Sequence, residues 1–126
     1  MGDDMEKKKI FLIDDEKFFH DIVITMLSDK YNVLAAKSGK EALMLLVQSK
    51  PDLILLDIIM PEMDGWETFH KIRGISLLQD VPIAFITFLS EEKGREEAKR
   101  LGAADYFMKP VDKKDFLNRI EKIVSK

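Results

Sequence analysis

Short runs of apolar residues alternate along the chain with longer segments in which apolar residues recur every three or four positions. The short runs, rich in aliphatic side chains, are typical of strands that are buried on both faces of a parallel sheet. The spaced apolar residues of the longer segments are typical of amphipathic helices. The predicted strands are residues 10–13, 31–36, 53–57, 81–87 and 105–108, and the predicted helices are residues 16–28, 38–47, 65–73, 90–101 and 112–124.

Local signals indicate where several of the predicted helices begin and end. Ser38 with Glu41 predicts a capping box, Asp64 is expected to cap the third helix, and Gly102 to end the fourth. The residues expected on the buried sides of the first two helices are Phe18, Phe19, Ile22, Val23, Met26, Leu27, Ala42, Leu43, Leu45, Leu46 and Val47. Because strand and helix alternate five times, the sequence predicts an α/β fold: a doubly wound, five-stranded parallel sheet in three α/β/α layers.

The composition describes a soluble domain and excludes several classes of function. The 126 residues are 46% hydrophobic and 34% charged, which suits one domain with a hydrophobic core. With a net charge of −3 and no long apolar run, we expect no direct nucleic-acid binding and no membrane insertion. The absence of cysteine excludes disulfides, thiol catalysis and cysteine-bound zinc. We expect a cytoplasmic protein, or a piece of a larger one, with residues 1–8 as an N-terminal extension and residues 9–126 as the folded domain.

Polar side chains stand at the ends of four predicted strands. They are Asp14 with Asp15, Asp57, Thr87 and Lys109. Because the carboxyl ends of parallel strands meet at one edge of the sheet, we expect these groups to converge there. Three crowded carboxylates repel one another, and Mg²⁺, which prefers hard oxygen ligands, would relieve that repulsion. A lysine charge and a hydroxyl donor complete a plausible pocket for a phosphoryl group.

The motifs around these residues match a known family. The matching segments are residues 13–16, 56–61, 64–65, 86–87 and 102–110. Each is weak alone, but all of them occur in order and at the correct strand ends. The chain therefore resembles a receiver domain of the response regulators of two-component systems, and in length it is similar to the stand-alone chemotaxis type. The resemblance covers residues from about 9 to the end.

The resemblance implies a role for each residue of the constellation. Asp57 would be the nucleophile that accepts a phosphoryl group from the phosphohistidine of a sensor histidine kinase or a histidine phosphotransfer protein. Asp15, Asp57 and the backbone carbonyl of Ile59 would bind Mg²⁺ directly, and Asp14 would act largely through water. Lys109, which in this family precedes a cis proline, would pair with a phosphoryl oxygen.

The family pattern also implies a switch. Thr87 would bind another phosphoryl oxygen, and Tyr106 would turn inward as Thr87 moves. The movement of Thr87 and Tyr106 would change the surface formed by the fourth helix, fifth strand and fifth helix. A downstream protein or an output domain would bind that surface. Such a domain would catalyse only its own phosphorylation and dephosphorylation. The residues alone fit two roles for Tyr106 equally well, a packed strand residue and a part of the switch.

Three positions depart from the usual family pattern. Phe88 stands where the family keeps a small residue, so it would narrow access to Asp57 or restrict Tyr106. Ile59 and Leu89 lie two residues beyond Asp57 and Thr87, where polar side chains often stand near the attacking water. Because neither can orient that water, we expect slow self-dephosphorylation.

Three other functions are alternatives to a phosphorylation-dependent switch, and each makes a different demand on the residues of the site. A degenerate receiver would act only as an interaction module, blocked by Phe88. An aspartyl-phosphate phosphatase needs an acidic residue where Ile59 stands, and a flavodoxin-like FMN carrier needs a phosphate-binding loop where residues 14–16 are acidic. His20 and His70 lack metal-ligand spacing, and Trp66 is expected in the core.

A homodimer through the fourth helix, fifth strand and fifth helix is a further alternative. The residues available for ion pairs across a twofold axis are Arg95, Arg100, Asp115 and Glu121. A solvated charged face explains them equally well, because exposed ion pairs contribute little.

Overall fold

A five-stranded parallel sheet with the strand order β2-β1-β3-β4-β5 forms the centre of the protein. The computed structural model describes residues 7–126. The strands are β1 (Lys9–Ile13), β2 (Asn32–Ala36), β3 (Leu53–Leu56), β4 (Ile83–Thr87) and β5 (Asp105–Met108). The helices are α1 (Lys17–Leu27), α2 (Gly39–Leu46), α3 (Gly65–Arg73), α4 (Glu91–Arg100) and α5 (Lys113–Val124), with a 3-10 turn at Ser76–Leu78. The predicted fold class, a doubly wound three-layer α/β/α sheet, is confirmed.

Each face of the sheet has its own hydrophobic core. All four residues of β3 are buried, and they alternate between the two faces. Ile54 and Leu56 pack with residues of α2, α3 and α4, whereas Leu53 and Leu55 pack with residues of α1 and α5. The central strand is therefore covered on both sides, which explains why it contains only aliphatic residues.

Three of the residues expected on buried helix faces are exposed, which corrects the prediction. On α2 only Gly39, Ala42 and Leu46 are buried, while Leu45 and Val47 are 41% and 54% exposed. This short helix covers the sheet where β2 forms an edge, so it presents only a narrow stripe to the core. On α1, Phe18 is also exposed. The 3-10 turn was not predicted.

The turn after β3 fixes the position of Asp57. The backbone N–H of Gly65 donates to the carbonyl of Ile58 at 2.8 Å, so the start of α3 lies against the end of the strand. A Cβ at position 65 would lie 2.6 Å from Cα of Ile58, so only glycine permits this approach. Asp64 caps α3 by accepting from the N–H of Glu67 at 2.9 Å, as predicted.

The expected N-terminal extension lies mostly outside the described residues, which include only Lys7 and Lys8 of it. Within residues 7–126, no helix has the length and the apolar content needed to cross a bilayer.

Candidate functional site

The carboxyl edge of the sheet brings together Asp14, Asp57, Thr87 and Lys109, and all four are buried. Asp14 and Asp57 directly follow β1 and β3, Thr87 is the last residue of β4, and Lys109 directly follows β5. Backbone hydrogen bonds continue the sheet beyond the strands: the N–H of Asp57 donates to Ile13 at 2.9 Å, and the N–H of Lys109 donates to Thr87 at 2.8 Å. The predicted convergence follows from the register of the parallel sheet.

Lys109 lies between the two buried carboxylates. Its Nζ is 2.7 Å from Oδ2 of Asp14 and 3.3 Å from Oδ2 of Asp57. The expected cis peptide bond joins Lys109 to Pro110. A single ammonium group thus faces two carboxylates, and with Asp15 nearby the site retains negative charge.

The pKa of Asp57 is raised to about 6, chiefly because burial disfavours the charged carboxylate. The charge of Asp14 raises this pKa further, whereas the Lys109 ammonium and a hydrogen bond with Thr87 lower it. At neutral pH the carboxylate of Asp57 is therefore still mostly ionised, and it is more basic than an exposed aspartate. These are useful properties in a nucleophile.

The acidic residues of the site fit a divalent cation with oxygen ligands. One carboxylate oxygen from each of Asp14, Asp15 and Asp57 lies within 4.8 Å of the others. Asp15 is exposed, so the cluster opens to solvent on that side. Oδ2 of Asp14 is buried, and although it faces Lys109 it accepts no well-aligned hydrogen bond. Three clustered carboxylates with a single ammonium group between two of them suit a hard cation such as Mg²⁺.

Ile59 lies at the mouth of the site. Its backbone N–H donates to Oδ1 of Asp57 at 3.4 Å, and its side chain is 56% exposed. The backbone of Ile59 is thus held beside the carboxylate, while the apolar side chain reaches solvent.

A chain of hydrogen bonds links the site to β5. The N–H of Leu89 donates to the hydroxyl of Thr87 at 3.2 Å, and the hydroxyl of Tyr106 donates to the carbonyl of Leu89 at 2.7 Å. The Tyr106 side chain is turned inward and is buried in the core on the α4 side of the sheet. One residue, Leu89, therefore contacts both side chains that were predicted to form a switch.

Two aromatic rings complete the site, and sequence reasoning found only one of them. Phe88 and Phe19 pack edge to face with ring centroids 5.0 Å apart, and both rings lie near Nζ of Lys109. Phe88 was expected to narrow the site. Phe19 was expected on the buried side of the first helix, and the helical spacing of its apolar neighbours gave no sign that it reaches the sheet edge.

The remaining candidate residues have structural positions. Trp66 is half-buried and packs edge to face on Phe85, with centroids 5.0 Å apart, as a core residue would. His20 is buried in α1 and His70 is exposed on α3. Within residues 7–126, the one cluster of potential metal ligands contains no histidine.

The fold and the site together define a doubly wound α/β domain with an acidic, lysine-containing centre at the carboxyl edge of its sheet. The chain belongs to the response regulator receiver domain family, whose model matches residues 10–121. Domains of this family are modules of two-component phosphorelay systems, and in general they are signalling modules, not enzymes.

The relatives place this kind of domain in several larger proteins. The chain is 39% identical over 121 residues to a probable transcriptional regulator ycf27 of Porphyridium aerugineum, covering 95% of this chain and 49% of the relative. It is 37% identical to a probable cyclic di-GMP phosphodiesterase of Vibrio cholerae, covering 86% of this chain and 25% of the relative. The chain thus spans about half or less of the length of these relatives.

Among solved structures, the chemotaxis response regulator CheY4 of Vibrio cholerae superposes with a TM-score of 0.84 at 30% identity, covering 93% of this chain and 98% of that one.

Proposed function

We propose that the chain is a phosphorylation-dependent signalling switch in which Asp57 accepts a phosphoryl group. The observation that carries this proposal is the buried Asp57 carboxylate, which lies 3.3 Å from Nζ of Lys109 in a cluster with Asp14 and Asp15 and has a pKa raised to about 6. The donor would be the phosphohistidine of a sensor histidine kinase or a histidine phosphotransfer protein, and the chain would act in the cytoplasm. Residues 9–126 would form the receiver domain, and residues 1–8 its extension.

The residues of the site have complementary roles in the transfer. An oxygen of ionised Asp57 attacks phosphorus, and the bond from phosphorus to the donor nitrogen breaks, with its electron pair left on the imidazole. Lys109 exchanges its contact with Asp57 for one with a phosphoryl oxygen. Asp14, Asp15, Asp57 and the carbonyl of Ile59 would hold Mg²⁺. When bound, the ion offsets the charge of the carboxylate and the phosphoryl group.

The response would pass through Leu89. A phosphoryl oxygen that draws the Thr87 hydroxyl toward itself competes with the hydrogen bond from the N–H of Leu89. Because the carbonyl of Leu89 accepts from the hydroxyl of Tyr106, a change at Thr87 alters the hydrogen bond that holds the Tyr106 ring. The surface formed by α4, β5 and α5 would then present a different face to a downstream protein or an output domain.

Modification by acetyl phosphate with Mg²⁺ tests the proposal. We expect the wild-type protein to form an acid-stable, base-labile acyl phosphate that Phos-tag electrophoresis separates. We expect Asp57→Asn to form none, and Asp64→Asn, which keeps a capping side chain at an exposed helix start, to behave as wild type. Equal modification of Asp57→Asn would overturn the assignment of the nucleophile.

A degenerate receiver that acts only as an interaction module is the second candidate. The observation that favours it is the half-exposed ring of Phe88 beside Lys109. Mg²⁺ binding without any modification of Asp57, by either acetyl phosphate or a histidine phosphotransfer protein, would select it.

A phosphorylation-dependent homodimer through α4, β5 and α5 is also proposed. Three residues of the expected interface already have partners within the chain: Arg95 pairs with Glu91, Arg100 with Glu97, and Asp115 with Arg119. Dimerisation would exchange such exposed pairs at little cost. Sedimentation with and without beryllofluoride tests it, and a monomer in both states removes the proposal.

A further inference from the structure

Lys109 has aromatic neighbours in addition to its carboxylate partners. Its Nζ lies over the ring of Phe19, 4.8 Å from the centroid, and over the ring of Phe88, 5.3 Å from the centroid. The two rings meet edge to face with an interplanar angle of 82°. They come from different elements, because Phe19 belongs to α1 and Phe88 follows β4. One buried ammonium group is thus enclosed by two ring faces and two carboxylates.

We propose that Phe19 and Phe88 are positioning residues that hold the Lys109 ammonium at the phosphoryl site through paired cation–π contacts. This inference rests on the proposed function, since it assigns Lys109 to the phosphoryl group. It gives Phe88 a role opposite to the one expected from its bulk alone: the ring supports the transfer more than it obstructs it.

The chemistry of the transfer explains why aromatic faces suit this position. Lysine is a flexible point charge, and in the proposed transfer it exchanges its contact with the Asp57 carboxylate for one with a phosphoryl oxygen. The face of a phenyl ring attracts a cation through its quadrupole, and this attraction does not depend on the state of Asp57. The rings therefore hold the ammonium both before and after transfer. They also cover it from water, which strengthens its attraction for a phosphoryl oxygen.

The packing of Phe88 supports the same inference. Its side chain is 53% exposed, so burial of apolar surface does not explain its position. Within residues 7–126, the aromatic and cation–π contacts of the Phe88 ring are those with Phe19 and Lys109. A half-exposed ring thus has a buried cation among its partners.

The rate of Asp57 modification by acetyl phosphate at saturating Mg²⁺ tests the proposal without a partner kinase. Phe88→Leu keeps apolar bulk but removes the ring, and we expect it to slow modification by about 2- to 30-fold, the range of a cation–π contact. Phe88→Tyr keeps the ring, so its modification rate should stay close to that of the wild type. The matched control is Phe18→Leu: Phe18 is an exposed ring that packs on Phe19 with centroids 5.6 Å apart, and within residues 7–126 the cation–π contacts of Lys109 are with Phe19 and Phe88, not with Phe18.

Proton NMR gives a readout that does not depend on phosphorylation. The ε-methylene protons of Lys109 should be shifted upfield by the ring currents of Phe19 and Phe88, and the shift should decrease in Phe88→Leu and persist in Phe88→Tyr. The proposal is overturned if these protons have ordinary shifts, if Phe88→Leu reacts as fast as wild type, or if Phe88→Tyr is as slow as Phe88→Leu. Failure of the wild-type protein to be modified at all would instead overturn the proposed function, whatever the NMR shifts show.

Discussion

The ring of Tyr106 occupies the space that a side chain at Gly94 would fill. A Cβ built on Gly94 would overlap the Tyr106 hydroxyl and would lie 2.6 Å from Cζ and 2.8 Å from Cε2 of the ring. Gly94 lies in the middle of α4, where glycine destabilises a helix by about 0.5–1 kcal/mol relative to alanine. The recess it leaves allows Tyr106 to reach the carbonyl of Leu89. The inward position of Tyr106 therefore depends on α4 as well as on Thr87.

Gly94→Ala should displace Tyr106 from its inward position. The added methyl group cannot be accommodated by a small shift, because it would overlap the hydroxyl end of a rigid, buried ring that is hydrogen-bonded to the carbonyl of Leu89. We expect the ring of Tyr106 to become exposed. Since the gain in helix propensity is smaller than the loss of a buried aromatic contact, we also expect a decrease in the free energy of unfolding of about 1–3 kcal/mol. Tyrosine solvent-perturbation spectroscopy and urea denaturation measure the two effects.

Gly74→Ala is the matched control. Gly74 ends α3 with φ −78°, and the nearest atom to an added Cβ is a backbone oxygen at 3.4 Å, so alanine fits there with little displacement. If Gly94→Ala kept Tyr106 buried and was as stable as Gly74→Ala, the recess would have no role in placing the ring.

The stability of the protein without metal should depend on the ionisation of Asp57. Its pKa is raised to about 6 in the folded state, against 3.8 for an ordinary aspartate, so the folded state binds this proton more tightly. The free energy of unfolding should therefore fall as pH rises from about 4 to about 6, by up to about 3 kcal/mol from this group, and then level off. Urea denaturation in EDTA should show wild type and Asp57→Asn diverging over this window, with the variant more stable above it. A difference that stays constant from pH 4 to pH 7 would contradict the raised pKa.

Mg²⁺ should stabilise the fold through the acidic cluster. At ten times its dissociation constant a bound ligand adds about 1.4 kcal/mol to the free energy of unfolding. Asp15→Asn removes one of three carboxylates whose oxygens lie within 4.8 Å, so most of this gain should be lost. Asp64→Asn, which keeps an exposed helix cap, should retain it. The same gain in Asp15→Asn as in wild type would exclude Asp15 as a ligand.

The sequence predicted much of this protein because its elements are locally consistent. An aliphatic run as short as that of β3 favours a strand covered on both faces, and the alternation of elements then predicts a doubly wound sheet. Once the strands are placed, Asp57, Thr87 and Lys109 must converge, since parallel strands end at one edge. The contacts that depend on the rotation of a helix were not accessible in this way. Periodicity does not fix the rotation of a helix about its axis. It therefore could not show that Phe19 faces Lys109, or that Gly94 leaves a recess for the ring of Tyr106. The exposure of Leu45 and Val47 has the same origin.

The lifetime of the acyl phosphate should be set by Ile59 more than by Leu89. Both were expected to leave the attacking water without a polar partner, but the two side chains lie differently: that of Ile59 is mostly exposed at the mouth of the site, whereas Leu89 packs against the core beside Tyr106. A polar group at position 59 can therefore reach water near Asp57 without disturbing the core.

We expect Ile59→Asn to accelerate loss of the phosphoryl group by about 2- to 10-fold, the effect of one hydrogen bond of about 0.5–1.5 kcal/mol, with stability unchanged. Leu89→Gln should lower the free energy of unfolding as well, because it removes packed apolar surface. The decay of the modified protein, followed by Phos-tag electrophoresis after removal of acetyl phosphate, measures the rate. Rapid decay in the wild type that neither substitution changes would show that the water is oriented by other groups.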